Sequence, residues 1–74
     1  MPSLPVISGR DAVRVFQQFG WEFVRQRGSH MLLVKSGSIV SLSVPDHREV
    51  AKGTLRSLIR DSGLTVEQFI TAIR

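Results

Sequence analysis

The sequence predicts an α+β domain of order α-β-β-β-α-α, a three-stranded antiparallel sheet with helices on one face. Three observations predict it. Apolar residues between Ala12 and Phe19 recur with the helical period. From Trp21 to Val44 the pattern becomes period-two alternation, interrupted by glycine-containing turns. Beyond about Ala51 the helical period returns, in two segments separated at Gly63.

Residues 1–7, with Pro2 and Pro5, read as an extended arm. Ser8 is the expected N-cap of the first helix, and Asp11 suits its positive end. Ala12, Val15, Phe16 and Phe19 form its inward stripe, while Arg10, Arg14, Gln17 and Gln18 take the other face. Gly20 stops it. Trp21–Gln26 alternates as a first strand, and Arg27-Gly28-Ser29 fits a three-residue hairpin loop with glycine where φ must be positive. His30–Lys35 and Ser38–Val44 are the next strands, joined through Ser36-Gly37, and Pro45 ends the sheet.

Asp46–Val50 reads as a loop, followed by a helix from about Ala51 to Asp61 that turns Leu55, Leu58 and Ile59 inward. Gly63 ends that helix. Thr65-Val66-Glu67-Gln68 has the form of a capping box and opens a last helix with Val66, Phe69, Ile70 and Ile73 on one side. No repeat, low-complexity run or linker interrupts the chain, so residues 1–74 read as one domain.

Composition narrows the function. A domain of 74 residues buries only roughly 60% of its unfolded surface, and without cysteine no disulfide can staple it. A partner or a second copy covering apolar surface is therefore expected. No apolar run approaches the ~18 residues of a membrane span, and the N-terminus lacks the charged and apolar regions of a secretory signal. The expected location is the cytoplasm. A net charge of +4 favours a polyanionic partner.

One stretch, Gly28-Ser29-His30-Met31, matches a common cloning remnant. Its position argues otherwise: it lies where a turn enters the middle strand, and residues on both sides complete one core. A two-residue loop at Ser36-Gly37 would pair Met31 with Leu42, Leu33 with Val40 and His30 with Ser43. Met31, Leu33, Val40 and Leu42 then share the helix-covered face with Trp21 and Phe23. His30 lies on the opposite, mixed face with Leu32, Val34, Ile39, Ser41 and Ser43, near Gln26. An open sheet face of this kind suits a partner, although a surface histidine beside a turn needs none.

Arg25 and Arg27 gather positive charge just before His30. Lys52, Arg56 and Arg60 recur every four residues along the second helix, a row suited to phosphates or simply to solvent. His47 reads first as a plain loop residue, with a second acid–base group or a helix N-terminal contact as the alternatives. Two histidines seventeen apart without cysteine make no metal site, and no glycine-rich phosphate loop is present, so no cofactor is expected.

Taken in order, Ser8-Gly9, Gly20-Trp21-Glu22-Phe23, Arg25–His30, Val44-Pro45-Asp46-His47, Lys52–Arg60 and Ser62-Gly63-Leu64-Thr65 with Phe69 resemble the HicA (YcfA-like) toxins. The resemblance implies a fold like the double-stranded RNA-binding domain and an mRNA interferase of a type II toxin–antitoxin system, neutralised by a HicB-like antitoxin. It assigns the catalytic role to His30 in Gly-Ser-His and matches the family's Pro-x-His element to Pro45 and His47 and its Lys-Gly-Thr-Leu element to Lys52–Leu55. By their charge and position, Arg25, Arg27, Lys52, Arg56 and Arg60, with Ser29, are the expected RNA-binding residues, and His47 is an accessory candidate. RNA brings its own nucleophile, the 2′-hydroxyl, and an imidazole is suited to proton transfer near neutrality, so a metal is not required. The alternative is a non-catalytic RNA-binding module that uses the basic helix face, and a third is a domain that binds only protein.

Overall fold

The computed structural model describes residues 3–73. Its elements follow the predicted order: α1 (Gly9–Gln17), β1 (Glu22–Arg27), β2 (His30–Val34), β3 (Leu42–Pro45), α2 (Lys52–Ser62) and α3 (Val66–Ala72). The strands pair antiparallel in the order β1-β2-β3. Met31 and Leu33 of β2 and Leu42 and Val44 of β3 turn one face of the sheet into the core. Phe16 of α1, Leu55 and Ile59 of α2 and Phe69 of α3 close over it in a single apolar cluster. The Phe16 and Phe69 rings lie 5.3 Å apart, tilted by 51°, a favourable aromatic arrangement.

The helix ends form as their sequence signals require. The Ser8 hydroxyl accepts from the Asp11 amide at 3.1 Å, and Thr65 and Gln68 satisfy each other's backbone amides at 3.0 and 2.8 Å. Gly63 closes α2 in the left-handed conformation, φ 82°. The first helix ends at Gln17, and Gln18–Gly20 continue as a turn that leaves Phe19 partly buried against the core. On α3 only Phe69 is fully buried: Val66 and Ile70 are half-covered and Ile73 is 40% exposed. Residues 3–7 form neither helix nor strand, yet they contribute to the core through Leu4 and Ile7. The Ile7 carbonyl also accepts from the Val50 amide at 2.9 Å. The expected role of Pro2 lies outside the described residues.

Both hairpins differ from their expected registers. In the first, Arg27 pairs with His30, so the loop is the two residues Gly28-Ser29 and not three. Gly28 has φ 59° and Ser29 does not enter the positive region, the pattern of a type II′ turn, whose twist suits a hairpin. The extra residue reappears as a bulge. Phe23 faces Leu33, Arg25 faces Leu32, and Val24 between them has no partner. Gln26, expected near His30, pairs with Met31 on the helix side.

In the second hairpin β3 begins at Leu42, and His30, Met31, Leu32 and Leu33 pair with Pro45, Val44, Ser43 and Leu42. This is two residues away from the pairing that a Ser36-Gly37 loop would give. The turn does form, with the Ser38 amide donating to Lys35 O at 3.0 Å. Ser38 then diverts its neighbours, because its hydroxyl bonds both the amide and the carbonyl of Val40 at 3.2 and 3.1 Å, in competition with the ladder. Val40 is consequently 43% exposed instead of buried, Ile39 is fully exposed, and Val44 takes the core position. A slip of two preserves which residues share a face, whereas a slip of one would invert every side chain.

The end of β3 is fastened to α1 and to the first turn. The Gly9 amide donates to the His47 carbonyl at 2.8 Å, and a Cβ on Gly9 would overlap the Pro45 carbonyl oxygen. The Asp46 amide donates to Ser29 O at 2.6 Å. Its carboxylate accepts from Arg10 Nε at 3.2 Å and from Gln26 Nε2 at 2.9 Å. These bonds, the Arg10 one foremost, hold the Asp46 carboxyl below its ordinary pKa and raise that of Arg10.

Two outcomes follow from these contacts. Gly9→Ala must displace the backbone of β3, lowering stability by about 1–3 kcal/mol. Gly53→Ala, on an exposed helical position with open space around it, should raise stability by about 0.5–1 kcal/mol; thermal melts of both variants check the contrast. The second outcome concerns Asp46, whose depressed pKa stabilises the fold fully above the ordinary carboxylate value of about 3.9, and whose contribution is lost as pH falls through the lower folded value. Asp46→Asn should therefore melt earlier than wild type at pH 7, with the gap closing below about pH 4.

Candidate active site

The face of the sheet turned away from the helices carries a shallow cleft lined by Arg25, Arg27, His30, Leu32 and Ser43. Each strand supplies part of it. Strand β2 alternates, sending Met31 and Leu33 into the core and His30 and Leu32 outward. From β3 comes Ser43, opposite Leu32. Beyond the bulge, β1 sets Arg25 opposite Leu32 and Arg27 opposite His30. Without the extra residue at Val24 the alternation of β1 would carry both arginines to the other side of the sheet.

The electrostatics are simple. Among the described residues no carboxylate lines the cleft. Among the described residues Arg25 and Arg27 form no ion pair, whereas Arg10 is paired with Asp46, Arg14 with Asp11 and Arg60 with Asp61. His30 is exposed, with Nδ1 3.3 Å from Ser43 Oγ. Ser43 has no other side-chain bond among the described residues, and its hydroxyl can donate to that ring nitrogen or accept from it.

Three of the sequence-derived candidates, Arg25, Arg27 and His30, thus meet in one place. The others do not. Ser29 is in the turn, where its carbonyl holds the Asp46 amide, and its side chain is not part of the cleft wall. Lys52, Arg56 and Arg60 are exposed along α2, in the helical layer on the other side of the sheet. His47 is exposed in the loop after β3 and contributes its carbonyl to the Gly9 amide. Among the described residues no group of three His, Cys, Asp or Glu side chains is assembled to hold a metal ion.

Sequence reading alone did not single out Leu32 and Ser43 as site residues. Parity was the available signal: residues two apart in a strand share a face, so a core Leu42 and Val44 fix Ser43 on the open side.

Comparison with known proteins agrees with this architecture. None of the curated proteins searched matches the sequence. A solved structure described as "Toxin-Antitoxin complex from Streptococcus pneumoniae" contains a chain that superposes with a TM-score of 0.71 at 27% identity, covering 78% of this chain and 98% of that one. The sequence profile described as "HicA toxin of bacterial toxin-antitoxin" matches residues 9–64, a span that runs from α1 through α2 and includes every residue of the cleft. The chain belongs to the HicA toxin family of bacterial toxin–antitoxin systems.

Proposed function

We propose that this toxin is an endoribonuclease that cleaves mRNA in the cytoplasm, acting as one unit over residues 1–74, and that a HicB-like antitoxin protein neutralises it. The observation that carries the reading is an exposed imidazole sharing a cleft with two arginines that form no ion pair among the described residues, on the sheet face opposite the helices.

The chemistry matches those groups. His30 accepts the proton of a ribose 2′-hydroxyl; the 2′-oxygen bonds to phosphorus as the bond to the 5′-oxygen breaks. The departing oxygen takes a proton from solvent, and His30 later gives up its own. The products are a 2′,3′-cyclic phosphate and a 5′-hydroxyl, with no metal in the balance. Positioned general acid–base help of this kind contributes about 10²- to 10⁴-fold. Arg25 and Arg27 offset the charge that grows on the phosphoryl oxygens, and Leu32 presents an apolar floor to the nucleotide. His30 is the imidazole among the residues lining the cleft, and His47 is not one of them.

A second reading rests on α2, where Lys52 and Arg56 are exposed and free of ion pairs among the described residues. There the chain would bind RNA through a basic helix face without cutting it. The two readings part on one experiment, incubation of a long mRNA in EDTA with wild type and with His30→Ala at matched circular dichroism. Strand scission by wild type, reduced about 10²- to 10⁴-fold in the variant, is the expected result. A salt-sensitive gel shift with intact RNA in both lanes favours binding alone. Replacing Arg25 and Arg27 together by alanine should weaken RNA binding and flatten its log–log salt dependence by about two. Lys52→Ala with Arg56→Ala should leave the cleavage rate of bound RNA unchanged.

A further inference from the structure

A ring with two nitrogens can serve as a proton acceptor at only one of them in its neutral form, and the hydrogen bond made by the other decides which. In this protein that bond is already present. Ser43 Oγ lies 3.3 Å from His30 Nδ1, and no other side chain in the cleft is hydrogen-bonded to the ring among the described residues. Because β3 holds Ser43 two residues from Pro45, which pairs with His30 itself, the hydroxyl reaches the ring from the neighbouring strand.

We infer that Ser43 is the positioning residue of His30: its hydroxyl accepts from Nδ1–H, and thereby leaves Nε2 unprotonated and directed to the cleft as the atom that takes the 2′-hydroxyl proton. This rests on the ribonuclease reading above and deepens it.

The flanking charges agree with a hydroxyl in this role. Arg25 and Arg27 are the charged groups that line the cleft with the imidazole, and neither can accept a hydrogen bond. Ser43 is the one cleft side chain able to accept from Nδ1–H. After the proton has moved to Nε2, the same Nδ1–H···Oγ bond persists, so the ring does not have to turn between the two halves of the reaction. A serine places no negative charge against the imidazole, and the ring remains free to release its proton for the next turnover.

The test needs two readouts on the full chain. Long-range ¹H–¹⁵N spectra of the imidazole, recorded without RNA, should give the Nδ1–H tautomer in wild type and a shift toward Nε2–H in Ser43→Ala. Cleavage assays should give Ser43→Ala a kcat about tenfold lower, the scale of one neutral hydrogen bond, with KM unchanged. Ser43→Thr, which keeps the hydroxyl, should restore both. A wild-type ring in the Nε2–H form overturns the inference, as does a Ser43→Ala variant with wild-type kcat while His30→Ala is inactive. Should His30→Ala cleave as fast as wild type, the ribonuclease reading itself falls, whatever the tautomer spectra give.

Discussion

The bulge at Val24 is the constraint on which the site depends. The buried core does not require the bulge, because no residue of β1 is buried and Phe23 already faces Leu33 before the extra residue. What the bulge changes is everything after it. Two arginines cross to the face that carries His30, and Gln26 crosses the other way. Bulges bend and twist a strand at a cost in ladder bonds, and here the cost is met at an edge strand, where one side of the ladder is already open.

Gln26, once turned to the helix side, becomes part of the structure that holds the site still. Its amide joins the Asp46 carboxylate and the Gly28 carbonyl, so a side chain from β1 spans the turn and the end of β3. Arg10 adds α1 to the same carboxylate. Asp46 itself fastens the Ser29 carbonyl through its amide. His30 follows that turn directly, so its backbone is anchored by a network lying on the far side of the sheet from the cleft. Gly9 permits this by letting the start of α1 approach the β3 backbone closely.

Much of this was legible in the residues. Helix ends carry local signals, and Ser8, Thr65, Gln68 and Gly63 each did what their chemistry requires. Face assignments survived the register difference of the second hairpin, and not that of the first, for a physical reason. The second hairpin slipped by two residues, which conserves parity, and the core positions of Leu33 and Leu42 were unaffected. The first slipped by one, which does not conserve it, and Gln26 was accordingly misassigned. Neither the bulge nor the Ser38 diversion has a strong local signature: Val24 is an ordinary strand residue, and Ser36-Gly37 is a good two-residue turn that the chain uses and then leaves. At the candidate site, parity puts His30 and Ser43 on one open face from the sequence, without marking Ser43 as a site residue, whereas Arg25 and Arg27 reach that face only through the bulge.

The five residues of the cleft are all absent from the core cluster. Along β2 the division falls between neighbours, with His30 and Leu32 facing the cleft and Met31 and Leu33 the core. Adjacent codons therefore stand under unrelated selection. Residues of the cleft can be exchanged with little loss of stability, because burial of the sheet's other face is unaffected. A lineage can revise its target or lose its activity altogether while keeping the same folded protein.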